Sequence, residues 1–256
     1  MKKILTLVAY LISFTTVINA DIMRIEAGAG AWMQTPNTNM DYKDSTGLSG
    51  VDKSTGDEET QGYVWLLVKH PIPLIPNLRL EYVNISSTGE ASGKFYDFDV
   101  PSGTTKSTLE ITQFDIIPYY NILDNTGWIT LDLGIDLKIM ETTYNANPLS
   151  NTPLATVFTG YEEKTSNVIP LGYVRVRFEI PTTNIGLESD VKYITYGDSE
   201  VLDFRAKVDY TLDFVPVIQP GVELGYRVQK INSISDEDLV TDFDFAGVYF
   251  GVIVRF

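Results

Sequence analysis

From Ile129 to Ile139 the chain reads ITLDLGIDLKI, with Ile129, Leu131, Leu133, Ile135, Leu137 and Ile139 apolar and Thr130, Asp132, Gly134, Asp136 and Lys138 between them. A period of two puts these sets on opposite faces of an extended strand, whereas a helix would spread the charges around its circumference. The run Val201 to Phe214 repeats the pattern: Leu202, Phe204, Ala206, Val208, Tyr210, Leu212 and Phe214 alternate with Asp203, Arg205, Lys207, Asp209, Thr211 and Asp213. Weaker alternation marks Ile22 to Met33, Gly62 to His70, Leu78 to Ser86, Thr108 to Pro118, Tyr173 to Ile180, Ile185 to Tyr196, Gly221 to Val228 and Asp242 to Phe256. Beyond residue 20 no segment of helical length holds a helical apolar repeat. The spacing predicts an all-β chain of about ten strands, with eight to twelve as the bounds.

An even number of antiparallel strands returns the C-terminus to the side where the first strand begins. The predicted connections alternate in size. Gln34 to Gln61, Ser87 to Ser107 and Tyr144 to Leu171 are long and polar, while Pro71 to Asn77, Tyr119 to Gly127 and Pro181 to Asn184 are short. Gly197 to Glu200 is a tight turn and Gln229 to Thr241 is of middle length, so the size rule is a tendency. The Ser/Thr/Gly/Asp cluster from Asp44 to Thr60 reads as loop. No linker or low-complexity block divides the 256 residues, and one β domain can hold them.

A soluble sandwich alternates too, but turns its apolar face inward; a transmembrane barrel turns it to lipid and lines its interior with the charged face. The 14-residue Val201 to Phe214 run is longer than a typical globular strand and suits a tilted bilayer crossing. Aromatic residues fall near predicted strand ends, as interfacial girdles do: Trp128, Phe178, Phe214 and Phe256 by the short turns, Tyr82, Tyr193 and Tyr226 towards the long loops. The chain closes on AGVYFGVIVRF, with Val248, Phe250, Val252, Val254 and Phe256 on one face. That ending resembles the C-terminal signal that outer-membrane proteins present to the barrel-assembly machinery, and it is expected to leave no room for a further domain.

The first twenty residues read as a secretory signal: Lys2 and Lys3, an apolar stretch from Ile4 to Val17, and a small-residue cleavage site at Ile18-Asn19-Ala20. The expected organisation is a signal at 1–20 and a barrel domain at 21–256. The formal charge of −15 disfavours nucleic acid as a partner. The absence of cysteine removes disulfides, thiolate metal sites and cysteine nucleophiles.

The blocks VKHPIPLIPNLRLEY, YYNILDNTGWITLDLGIDLK, IPLGYVRVRFEIP, DFRAKVDYTLDF and DFDFAGVYFGVIVRF together resemble those of a family of Gram-negative outer-membrane β-barrel proteins of about 250 residues, close to this chain's 256. The resemblance spans nearly all of the chain after the signal. It implies the barrel fold and the outer-membrane location, and no activity, cofactor or catalytic residue.

Chemistry-bearing residues are few. His70 is the only histidine, placed where the second strand meets the PIPLIP turn, and a structural role there competes with the catalytic role a lipase-like site would need. Gly28 and Gly30 in GAGAW precede no phosphate-binding helix and more simply make room for a bulky neighbour in a narrow barrel. Asp41, Asp44, Asp52, Asp57, Glu58 and Glu59, against Lys43 and Lys53, and the run Asp236, Glu237, Asp238 lack EF-hand spacing. They read as solvated acidic loops that share divalent cations with lipopolysaccharide phosphates.

Turning the polar face inward collects Asp132, Asp136, Lys138, Arg175, Arg177, Glu179, Asp203, Arg205, Lys207, Asp209, Glu223 and Arg227, with both signs interleaved. A barrel of about ten strands is only slightly wider than the eight-stranded kind that side chains fill, so this lining is expected to plug most of the bore. A general porin is thereby weakened. The expected function is a non-catalytic structural or surface-interaction barrel without a cofactor, and the alternative is a narrow channel for small solutes or ions.

Overall fold

The computed structural model describes residues 23–43, 49–55, 58–72, 74–95, 98–197, 199–212, 218–236 and 239–256. The expected signal at 1–20 and Phe214 lie outside the described residues. So do the side chains of Asp41, Lys43, Asp44, Asp52, Lys53, Asp57, Asp236, Glu237 and Asp238.

Among the described residues thirteen strands occur in chain order: β1 (Arg24–Lys43), β2 (Ser49–Thr55), β3 (Glu59–Lys69), β4 (Asn77–Gly89), β5 (Ala91–Phe95), β6 (Phe98–Val100), β7 (Thr105–Thr126), β8 (Ile129–Pro148), β9 (Tyr161–Glu179), β10 (Ile185–Tyr196), β11 (Ser199–Thr211), β12 (Gln219–Asp236) and β13 (Leu239–Arg255). The ten-stranded closed antiparallel barrel expected from the alternation is the observed fold, in the order β1-β3-β4-β7-β8-β9-β10-β11-β12-β13, with β13 pairing back to β1. The closing seam runs from Glu26 opposite Arg255 to Tyr42 opposite Leu239. At its foot Ile25 and Phe256 exchange backbone hydrogen bonds of 2.9 and 3.3 Å. Strands β2, β5 and β6 carry the sheet onward from β1, above the level where β3 ends.

The strands are longer than the alternation predicted. Most of Gln34 to Gln61, Ser87 to Ser107 and Gln229 to Thr241, expected as loops, is strand, and β8 and β9 take up part of Tyr144 to Leu171. The Asp44 to Thr60 cluster includes β2 and the start of β3. At the opposite end, Tyr119 to Gly127 is not a gap: β7 continues irregularly to Thr126. A two-residue turn follows, Gly127 and Trp128 at φ 62° and 70°, the left-handed pair of a type I′ hairpin. The amide of Glu179 donates to the Trp128 carbonyl across 2.9 Å and ties this turn to β9.

The extensions were missed because the alternation changes phase. On β7 the outward Ile116 and Phe114 are apolar and the inward Asp115 and Gln113 polar; above them the outward Thr112 and Glu110 are polar and the inward Ile111 and Leu109 buried. On β8 the outward series Ile129 to Ile139 gives way to outward Glu141, Thr143 and Asn145, over inward Met140, Tyr144 and Ala146. β4, β12 and β13 invert at the same level, between Tyr82 and Val83, Val228 and Ile231, and Phe245 and Val248. Below that level the wall is apolar outside and charged inside; above it, the reverse holds. Eleven residues of β8 at roughly 3.3 Å each, tilted about 40°, make an apolar band near 25 Å tall, the height of a barrel's lipid belt.

Candidate functional site

The lower interior is the largest concentration of chemistry in the described residues. Ten carboxylates are buried there: Glu26, Glu81, Asp115, Asp132, Asp136, Glu188, Asp190, Asp203, Asp209 and Glu223. Nine cations face them: Arg79, Lys138, Arg175, Arg177, Lys192, Arg205, Lys207, Arg227 and Arg255. Nearly all are inward because their neighbours in sequence are outward and apolar, as Leu78, Leu80 and Tyr82 are around Arg79 and Glu81; Glu188 and Asp190 share the polar neighbour Ser189.

Pairs across adjacent strands build the wall of this network. Arg175 reaches Asp132 at 2.5 Å and Glu188 at 2.8 Å. Arg177 of β9 reaches past β10 to grip Asp209 of β11 at 2.6 and 3.1 Å. Arg227 grips Asp203 at 2.6 and 2.9 Å. Contacts across the bore fill its centre. From β10, Lys192 meets Glu81 of β4 at 2.6 Å and Asp115 of β7 at 2.5 Å. Arg205 of β11 also reaches Glu81 at 2.5 Å, and Lys138 of β8 lies 3.3 Å from Asp203. Glu223 of β12 accepts from Tyr63 and Trp65 of β3 at 2.8 and 3.1 Å, and from Lys207 at 2.8 Å. The Arg79 guanidinium stands 5.1 Å and the Lys207 ammonium 4.6 Å from the centroid of the Trp65 ring. Gly28 makes this possible, since a Cβ there would stand 2.3 Å from Trp65 Nε1.

Asp136 is the odd carboxylate. It is fully buried, and neither oxygen has a hydrogen bond among the described residues; its nearest cation is Lys192, at 3.9 Å. The reason is local: Leu171 is directly opposite on β9, and Ile117 lies one ladder step from the Ile116–Leu137 pair on β7, both buried and apolar.

Of the twelve lumen residues read from the sequence, eleven lie inside this network. Glu179 does not: it sits half exposed at the lower rim, pairing with Arg177 at 3.2 Å and Arg24 at 3.6 Å. The correction has a simple cause, because β9 ends at Glu179 and its carboxylate reaches water. Glu26, Arg79, Glu81, Asp115, Glu188, Asp190, Lys192 and Arg255 were missed. They stand on shorter or less regular apolar runs; the same rule, polar between outward apolar neighbours, selects all but Glu188 and Asp190, which flank Ser189.

Above the network lie the amides of Gln113 and Gln229, 2.8 Å apart, and then an apolar core that includes Ile85, Ile111, Met140, Tyr144, Val201, Ile231, Phe243 and Phe245. Two cavities within the charged zone measure about 10 and 20 Å³, room for about one water each. Larger recesses of about 470 and 710 Å³ lie on the outer wall beside Ala27, Ala29 and Ala31, among outward residues such as Val64, Leu224 and Val252. They open on the apolar outer face of the wall.

His70 lies beyond the end of β3. Its ring nitrogens contact the Pro76 carbonyl at 3.1 Å and the Ile72 amide at 3.2 Å, and its backbone amide donates to Asn77 Oδ1 at 3.0 Å. It therefore shapes the turn into β4. Glu59 accepts from Gln61 at 3.1 Å and Ser86 at 3.0 Å, and no cluster of three His, Cys, Asp or Glu suited to a metal occurs among the described residues. Val248, Phe250, Val252 and Val254 line the outward face of β13, and exposed Phe256 follows its last residue.

No family model matches the sequence, and no curated protein is similar to it. Among solved structures, the outer membrane protease OmpT of Escherichia coli is similar in fold, with a TM-score of 0.58 at 11% identity over 94% of this chain and 100% of that one. The translocator domain of the autotransporter NalP of Neisseria meningitidis gives a TM-score of 0.46 at 11% identity, over 100% and 96%. At such identities the likeness concerns the fold alone. The chain has the fold of the transmembrane β-barrels of the Gram-negative outer membrane.

Proposed function

We propose that this protein is an integral barrel of the Gram-negative outer membrane, reached through a cleaved signal peptide, with a structural and surface-interaction role and no catalytic one. The observation that carries this reading is the double closure of the bore: an ionic network bridged from wall to wall, capped by an apolar core. A solute channel needs a continuous polar path, and the apolar core interrupts it. Above the belt the strands present a polar outer surface that includes Glu110, Glu141 and Glu162. This surface stands where divalent cations link lipopolysaccharide phosphates to one another, and sharing those cations would anchor the barrel among them. The outward face of β13 with Phe256 is the segment that the barrel-assembly machinery would recognise. The absence of catalysis is supported by His70, whose ring is engaged in a turn at the end away from the apolar core.

Planar-bilayer recording of the purified, refolded protein tests this reading. A silent bilayer is expected. Discrete, reproducible conductance steps that change on Arg175→Ala would overturn it and establish the narrow channel instead.

A further inference from the structure

The barrel wall has a gap above the belt. Strand β9 pairs with β8 along its whole length, from Phe178 opposite Ile129 to Tyr161 opposite Ala146. On its other side it pairs with β10 only from Glu179 to Gly172. The β10–β11 hairpin turns at Gly197, with Tyr196 opposite Ser199, and climbs no further. β12 and β13 continue to their own turn, with Asp236 opposite Leu239. Residues Glu162 to Leu171 therefore present a sheet edge that no strand covers among the described residues. In an antiparallel ladder alternate residues turn both N–H and C=O to the same side, so about five residues of this edge direct main-chain groups into the gap.

Edges left bare by accident are usually blunted along their length by charges or proline. Here those devices flank the edge and leave its middle open: the Glu162–Lys164 ion pair, 2.7 Å, at one end and Pro170 at the other, with neutral Thr165, Ser166, Asn167 and Val168 between them. Val168 is 65% exposed, and Tyr196 at the hairpin tip is 85% exposed. At the lower end of the region the inner side is apolar: Leu171, Val201 and Ile231 are buried, and Ile169 and Ile194 pack against them; above it Asn167, Thr165 and Glu163 face inward. Its outer side carries Glu162, paired with Lys164, and, at the start of β11, Glu200.

We infer that the β9 edge from Glu162 to Leu171 is a strand-addition site for an extended segment of a second polypeptide, apolar on its inner face where it meets Ile169 and Leu171 and basic on its outer face. Main-chain hydrogen bonds would hold such a segment, alternate apolar side chains would complete the inner core, and basic ones would meet the carboxylates. The inference rests on the surface-interaction reading and names the partner's chemistry. The two fail separately, since conductance does not depend on peptide binding.

The test uses the full refolded protein in detergent micelles and a fluorescein-labelled seven-residue peptide alternating lysine and valine. A counterpart with proline for the central valine keeps the charge and cannot join a ladder. The alternating peptide is expected to bind at least tenfold more tightly by fluorescence anisotropy. Amide hydrogen exchange should slow at every second residue between Glu162 and Leu171. Ser166→Lys, a charge placed in the open middle of the edge, should remove the preference, and Thr108→Lys on β7, an equal change of charge, should retain it. Equal binding of the two peptides, no binding of either, or exchange unchanged along β9 would each overturn the inference.

Discussion

Replacing Lys192 by Met should be among the most damaging single changes in the barrel. The ammonium is fully buried and within 2.6 Å of carboxylate oxygens of Glu81 and Asp115; Asp203 and Asp136 stand at 3.8 and 3.9 Å. At an effective dielectric constant near 20, a unit pair about 4 Å apart interacts by about 4 kcal/mol before desolvation is counted. Desolvation of each ion costs several kcal/mol, so the intact cluster contributes far less than the sum of its pairs. Removing the cation is different, because the carboxylates stay buried. Among the described residues Glu81 retains Arg79 and Arg205, and Asp115 retains only Lys138. Breaking a buried pair in this way costs about 3–5 kcal/mol. Asp136→Asn is the matched control, since it deletes the carboxylate that has no hydrogen bond, and its effect should stay within about 1 kcal/mol. Combining the two should restore part of the loss, because one of the uncompensated charges goes with it. Urea unfolding in lipid vesicles, followed by tryptophan fluorescence, measures all three. A loss below about 1 kcal/mol for Lys192→Met would show that water or ions reach these carboxylates, and would refute the sealed plug.

Leu133→Arg places a charge mid-belt and should cost about 2–4 kcal/mol of membrane insertion, whereas Thr143→Arg on the same strand above the belt should cost close to nothing. Vesicle-insertion assays separate them, and equal effects would contradict the assigned belt. Gly28→Ala forces its methyl against the Trp65 indole and should destabilise by about 1–3 kcal/mol, with a change in Trp65 emission. Phe243→Ala, which removes a ring stacked on Phe245 in the upper core at a centroid distance of 5.9 Å, should cost about 3–5 kcal/mol in urea unfolding while leaving insertion unchanged. An equal loss of insertion would mean that this core lies inside the belt.

The class of fold was legible in the chain because alternation is local: Ile129 to Ile139 specifies a strand with one apolar face wherever it sits. Most of the lumen list followed from the same parity. The upper half was misread for the opposite reason. There the apolar residues change phase, from Phe114 back to Ile111 and from Ile139 to Met140, and a search for one continuous phase ends at the change. An odd step, of one or three residues, between apolar residues in an otherwise alternating strand is the signal that could have found it.

By itself the sequence determined which residues share a face, since side-chain parity along a strand needs no partner. Only the tertiary structure decided which face meets which solvent at each height, which carboxylate each cation grips across the bore, and that Asp136 is left without a hydrogen bond. Those outcomes depend on register between strands far apart in the chain, such as Arg205 and Glu81, and on the short β10–β11 hairpin that leaves β9 uncovered. Closure of the sheet fixes both, and no local pattern encodes it.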